Sequence, residues 1–312
     1  AAATAVSAFP APAIASGHQE WIICSAFGKA GLLGQAIQAF ADNVSSYSDK
    51  LNMKVYHAGE LVPGLESLDA VRSGAAQASY GAPYYWTNLS DAIEFVATCP
   101  FGMNAMEQNA WCYYGGGIEE ADKIYNALGL KFLPMGNTGN QMGGWFNKEI
   151  NTPADYKGLK MRMPGLGGRT IEKLGATPVL LAGPDVLPSL ASGAVDAAEW
   201  ICPAADLGAG LYQAAKFYYG PGWHEPSTLL DLSIDLNAWE SLDSATQGLV
   251  TNMTQSFNMT VFSRFQAING PALQKLVGEH GVTIKTFPDE VLIALGNAAG
   301  EVVSERGSIN SE

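Results

Sequence analysis

Residues 65–83, LESLDAVRSGAAQASYGAP, and residues 184–202, PDVLPSLASGAVDAAEWIC, follow one plan at a constant offset of 119, with Ser73, Gly74 and Ala75 falling on Ser192, Gly193 and Ala194. Each stretch reads as a helix, a glycine that stops it and a short apolar strand. Chance likeness of two Ala/Gly-rich stretches is the competing explanation, but two lobes built alike account for the matched order of the three parts. Outward from these stretches the alternation recurs. Residues 21–25 read as a short buried strand, Leu32, Leu33, Ala36, Ile37, Phe40 and Val44 follow at helical spacing, and residues 53–57 read as the next strand. The pattern continues to about Gly222, which predicts an α/β architecture with parallel sheets covered on both faces. Ligands of open α/β sheets bind beyond the carboxyl ends of the strands. Those ends are residues 80–84 and 199–202, and lobes that face each other put both into one cleft.

A chain of 312 residues exceeds one usual compact core and suits two lobes. With 17 Lys and Arg against 30 Asp and Glu, the net charge of −13 argues against nucleic acid or an anionic lipid surface, which need a basic footprint. The expected partner is small. Charged residues make up only 15%, yet no run of eighteen apolar residues occurs, so the low charge does not signal a membrane span. Residues 1–15, AAATAVSAFPAPAIA, lack charge and finish in an A-x-A pattern at Ala13, Ile14 and Ala15. They read as the residual tail of a secretory signal, with an Ala/Pro-rich linker as the alternative; export is the expectation. Cys24, Cys99, Cys112 and Cys202 have no CxxC spacing, and His18, His57, His224 and His280 no HxxxH, so a structural zinc and an essential disulfide are both unexpected.

The Gly- and aromatic-rich stretches 133–147 and 217–237 read as the linkers between halves, the second returning the chain to the first lobe. The predicted organisation is lobe I over 16–138 plus 225–255, lobe II over 139–224, and a helical segment 256–312 packing across both. Ser241 and Asp243 are candidate caps, and Val291, Leu292, Leu295, Ala298 and Val302 share one helical face.

No GxSxG, no P-loop and no GxGxxG after a strand occur; Gly165-Leu166-Gly167-Gly168 lacks the third glycine and a placed acid. Asp185, Asp196, Glu199 and Asp206 could pair for acid/base work, but carboxylates near helix ends are more often caps. Residues 158–165, GLKMRMPG, form a short alternating strand with Lys160, Arg162 and Pro164 on one face, ahead of a helix expected from about Arg169. Arg162 there can grip a carboxylate with two parallel hydrogen bonds; a surface pair with Asp155 or Glu172 is the bland alternative. Glu199-Trp200 ends the echoed strand with no basic residue nearby in sequence, and a buried carboxylate needs a cation or several donors. Gln141, backed by Met142, Trp145 and Phe146, offers an amide oxygen, so Glu199, Gln141 and backbone carbonyls make an oxygen set suited to a hard cation. Direct pairing of Glu199 with Arg162, with no cation, stays open on the residues alone. Of the aromatics Tyr84, Tyr85, Trp86, Phe101, Trp111, Tyr113 and Tyr114, only Tyr84 and Phe101 are expected as ligand contacts; Trp111 and Tyr114 have core spacing. His224-Glu225 in the second linker reads as a capping or hinge element.

These strings, GNTGNQMGGWFNKEI, GLKMRMPGLGGRTIEKLGATPV, LPSLASGAVDAAEW and YYGPGWHEP, resemble the extracytoplasmic solute receptors of tripartite ATP-independent periplasmic (TRAP) transporters, the DctP-type family. The likeness covers nearly the whole chain after residue 15, and the QMGGWF, EWxxP and PGWHEP strings resemble its TakP-like branch, which binds 2-oxo and 2-hydroxy monocarboxylates such as pyruvate. The resemblance implies a two-lobe periplasmic-binding-protein fold with a ligand cleft and a long connecting helix. It implies Arg162 as partner of the substrate carboxylate, and Gln141, Glu199 and the Trp200 carbonyl around one cation, sodium before calcium, with no organic cofactor. It also implies membrane permease subunits as partners, a periplasmic location, and a dimer made by exchange of residues 289–312. Asn147, where a basic residue is usual, and Ile201-Cys202, often Val-Gly, depart from the pattern; Cys202 bears on cleft shape. The rival classes are an exported enzyme on small carboxylates, with Glu199 as base and Arg162 as anchor, and a receptor for another organic acid.

Overall fold

The computed structural model describes residues 18–309, so the predicted leader at 1–15 lies outside the described residues. In chain order the first part forms β1 (Gln19–Ser25), α1 (Leu32–Tyr47), β2 (Leu51–Tyr56), α2 (Ser67–Arg72), β3 (Ala78–Gly81), α3 (Ile93–Ala97), α4 (Ala105–Tyr114), α5 (Gly117–Ala127) and β4 (Leu130–Asn137). The next is β5 (Gly144–Phe146), β6 (Lys160–Arg162), α6 (Gly165–Lys173), β7 (Thr177–Val179), α7 (Gly183–Ser192), β8 (Ala197–Ala198), α8 (Pro203–Ala209) and β9 (Phe217–Gly220). The chain ends with β10 (Leu229–Asp235), α9 (Leu236–Glu240), α10 (Ser244–Gly278), β11 (Thr283–Thr286) and α11 (Asp289–Ile309).

Two sheets result, a five-stranded one in the order β2-β1-β3-β10-β4 and a six-stranded one in the order β11-β9-β5-β8-β6-β7. The echoed stretches occupy equivalent places. Helix α2 and helix α7 are each followed by a left-handed glycine, Gly74 at φ 77° and Gly193 at φ 74°, a conformation that a Cβ penalises. The strands that follow, β3 and β8, each lie parallel to one neighbour, β1 or β6, and antiparallel to the other, β10 or β5. The sheets are therefore mixed, not parallel as expected. Helical crossovers within a lobe return the chain parallel, whereas β5 and β10 arrive from the other lobe and run the opposite way.

The links between sheets are shorter than the linkers read from composition, because residues 133–137 belong to β4, and β9 and β10 take up both ends of 217–237. What crosses is 138–143 and 221–228. These two segments bond to each other, Thr138 N donating to Thr228 O at 3.0 Å and Gly222 N to Gln141 O at 3.0 Å. Asp243 caps α10 by accepting from Thr246 N, as its spacing suggested, while Ser241 ends α9 instead. Helix α10 runs unbroken for 35 residues through 255 and 256, where the sequence suggested a division. Its Val250, Val261 and Phe265 join the core under the first sheet and its Leu276 a core under the second. The tail is not wholly helical: β11 pairs in parallel with β9 and extends the second sheet. Helix α11 then packs Val291 and Leu295 into that lobe's core beside α6. Among the aromatics, Trp111 packs against the core but Tyr114 is exposed, contrary to its spacing, since α4 turns that edge to solvent. All four cysteines are free thiols.

Candidate ligand-binding site

Arg162 closes β6, and helix α6 starts three residues on at Gly165, one turn earlier than the sequence suggested. The strand's parallel pairing with β8 puts Arg162 beside Ala198, so the guanidinium reaches the next residue, Glu199. Arg162 Nη1 donates to Glu199 Oε1 and, at 3.1 Å, to the Glu199 carbonyl, while Nε donates to the Leu181 carbonyl at 3.3 Å. The guanidinium lies 5.1 Å from the Trp200 ring centroid. Both members of the pair are buried, so neither a surface pair with Asp155 nor one with Glu172 forms; Asp155 caps its own turn at Thr152. Burial is the largest influence on Arg162 and opposes its charge, but Glu199, Tyr85, Tyr84 and Glu225 together outweigh it and its pKa rises.

The other half of the site comes from the crossing segments. Gln141 Nε2 donates to Thr138 Oγ1 at 3.1 Å, Glu225 Oε2 at 2.8 Å and Thr228 Oγ1 at 2.9 Å, tying the first crossing to the second. Thr228 Oγ1 also donates to Glu225, and the Tyr84 hydroxyl, from the turn after β3, reaches Glu225 Oε2 at 3.3 Å. His224 Nε2 lies 3.2 Å from Glu199 Oε2 and joins the two halves. Burial disfavours a charge on His224, yet its hydrogen bond to Glu199 and the charges of Glu199 and Glu225 outweigh that, and its pKa is raised. Burial, reinforced by the nearby Glu199 charge, pushes the Glu225 carboxyl up to about 7.

Three buried polar atoms of the site have no protein partner, the donor Arg162 Nη2, the acceptor oxygen of the Gln141 amide, and His224 Nδ1. An unpaired buried donor and an unpaired buried acceptor cost free energy unless something fills them. The donor suits a carboxylate and the oxygen a hard cation. Glu199, His224 and Glu225 also bring ligand atoms within 4.8 Å of one another. The residues present therefore fit a cation, with oxygens dominating the set.

The structure thus brings Arg162, Glu199, Trp200, Gln141 and Tyr84 together across both sheets and the crossings. Phe101 lies apart: it is half-exposed, holds φ at 56°, stacks on Trp223 at 5.8 Å and donates its N–H to Trp223 O at 2.7 Å. Two further site members, His224 and Glu225, read from the sequence only as a hinge or cap. Their signal was the PGWHEP string itself, two adjacent ionisable residues in an otherwise uncharged crossing.

The pattern of the bacterial extracellular solute-binding protein family 7, DctP, matches residues 27–308. This chain belongs to that family. Family 7 members are binding proteins, and the chain is a receptor, not an enzyme. It is 42% identical over 253 residues, 81% of this chain and 69% of the relative, to a monocarboxylate 2-oxoacid-binding periplasmic protein from Nostoc. Among solved structures, a TRAP periplasmic solute-binding protein from Pseudoalteromonas atlantica with bound sodium and pyruvate superposes with TM-score 0.90 at 37% identity, covering 93% of this chain and 89% of that one. A counterpart from Colwellia psychrerythraea with bound calcium and pyruvate gives TM-score 0.89 at 36% identity over 92% and 88%. The two-lobe fold expected from the sequence is the fold of these receptors.

Proposed function

We propose that the protein is the extracytoplasmic receptor of a TRAP transporter, which binds a small 2-oxo or 2-hydroxy monocarboxylate together with one cation and delivers it to membrane permease subunits. The observation that carries this reading is the pair of unpartnered buried atoms, one donor on Arg162 and one acceptor on Gln141, in one buried polar cluster. Relatives with pyruvate and sodium or calcium supply the chemical class. Arg162 Nη2 holds the substrate carboxylate. Gln141, Glu199 and the Trp200 carbonyl hold the cation, which supplies positive charge to the 2-oxo oxygen. Tyr84 presents the first sheet to the ligand, Arg162 and Glu199 present the second, and Gln141, His224 and Glu225 stand on the crossings. Phe101, outside the buried group, serves to pin the second crossing to lobe I.

In this reading lobe I is built on the first sheet, 18–138 and 225 into α10, lobe II is built on the second, 139–224 with β11 and α11, and they rotate about the two crossings. A ligand that touches both lobes at once favours the closed state, because the open one cannot make those contacts. The location is the periplasm, reached with an N-terminal export signal, and no helix among the described residues is long and apolar enough to cross a membrane. Residues 289–312 are the segment exchanged between two copies in a dimer.

Calorimetric titration with pyruvate tests the reading. A charge-assisted hydrogen bond contributes about 1.5–3 kcal/mol, so Arg162→Ala weakens binding by roughly ten- to a hundredfold or more. Removal of sodium and divalent ions weakens it as well. Unchanged affinity in the variant refutes the anion assignment, and unchanged affinity without cations refutes the cation.

A further inference from the structure

Trp200 has a second neighbourhood. Its indole lies under Arg162 and also forms the wall of a cavity of about 530 Å³. The opposite walls come from both halves of the molecule: Phe27 and Leu33 around the start of α1, Leu187 on α7, Ile201 ahead of α8, and Phe265 on α10. Lys29 is the one ionisable residue in the lining, and it is exposed at the mouth. The indole is held against bare backbone, since a Cβ on Gly183 would sit 2.6 Å from its Cη2.

The reading of the site as a 2-oxo acid receptor, on which this inference rests, uses the carboxylate and the 2-oxo oxygen and leaves only the carbon tail without a place. For pyruvate that tail is a methyl group, far smaller than the cavity beside it. An apolar space of this size gains nothing from a second carboxylate, which would lose its water and meet only an exposed lysine. Hydrocarbon gains from leaving water there. We infer that the tail of the bound acid runs along the Trp200 indole into this cavity, so that the receptor selects 2-oxo monocarboxylates with aliphatic tails of C5 to C6 chain size over pyruvate.

Each buried methylene strengthens binding about fourfold, so the three extra carbons of 4-methyl-2-oxopentanoate give a ceiling of roughly sixtyfold over pyruvate. Calorimetry on the intact chain, with sodium present, reads pyruvate, 2-oxobutanoate, 2-oxopentanoate, 4-methyl-2-oxopentanoate and 2-oxoglutarate. The expected result is a rise of at least tenfold from pyruvate to the C6 acid, with 2-oxoglutarate weaker than 2-oxopentanoate. In Leu187→Trp and Ala204→Phe, which fill the cavity, the ratio of pyruvate to C6 dissociation constants collapses towards one; two sites guard against a variant that fails to fold, which a thermal melt identifies. Affinity that is highest for pyruvate and falls with each added carbon overturns the tail assignment while leaving the receptor reading intact. Filling that slows association of every acid equally, with the ratio unchanged, also overturns it, since the cavity is then only a route inwards. Failure of all five acids to bind refutes the receptor reading itself.

Discussion

Replacing Arg162 with Met asks whether the pair with Glu199 holds the ligand-free protein together. Both side chains are 1% exposed. They stand on parallel neighbours of one sheet, so the pair persists whether the lobes are open or closed. Without the guanidinium, Glu199 keeps only His224 as a partner able to carry positive charge, with Glu225 close by. Breaking a buried ion pair by removing one member costs about 3–5 kcal/mol, because the remaining charge stays desolvated. The unfolding free energy from urea titration at neutral pH should therefore fall by about that amount. In a Glu199→Gln background the same substitution should cost only about 1 kcal/mol, the residue of stacking on Trp200 and of bonds to the Glu199 and Leu181 carbonyls. The double-mutant cycle then yields a coupling of about 2 kcal/mol or more. A loss below 1 kcal/mol, or strict additivity with Glu199→Gln, refutes the reasoning, since either result means the two charges do not meet in solution.

Glu94, buried on α3 of the first lobe, accepts from Arg169 on α6 at 3.2 Å and from Arg306 on α11 at 3.2 Å, and Arg306 also pairs with Asp91. Glu94→Gln should weaken this clasp between lobes, lower ligand affinity roughly five- to thirtyfold, and enlarge the ligand-free molecule in small-angle scattering; unchanged scattering and affinity count against a clasp. Burial pushes the Asp231 carboxyl up from 3.8 to about 7. Its folded value lies above its unfolded one, so its contribution is complete below about pH 4 and is lost as pH rises towards 7, at up to ~1.4 kcal/mol per pH unit. Asp231→Asn should flatten that decline in urea titrations between pH 4.5 and 7.5, and an unaltered slope would show that Asp231 is ionised in the fold.

The echo of 65–83 in 184–202 carries the architecture because a helix, a left-handed glycine and an apolar strand are each written in a few neighbouring residues. Arg162, Gln141 and Glu199 were legible for a related reason. Each is a polar residue at the end of an apolar strand or in a crossing, where a buried charge or amide must be answered by something. Tyr114 misled because its helical spacing says which residues share a face, not which face the neighbours cover. The parallel sheets misled because local periodicity cannot report that β5 and β10 enter from the other lobe.

By itself the sequence determined what is local: element type, capping at Asp243, the shortage of cations, and the few polar residues that strand ends must bury. The tertiary structure alone decided which of those residues meet. Glu199 has no cation near it in sequence and acquires Arg162 from 37 residues away through strand pairing, and His224 from 25 residues away through the second crossing. Hydrogen-bonded register and the packing of two lobes over their crossings set those distances. They also leave one guanidinium nitrogen and one amide oxygen without a protein partner, the combination that points to an anion and a cation together.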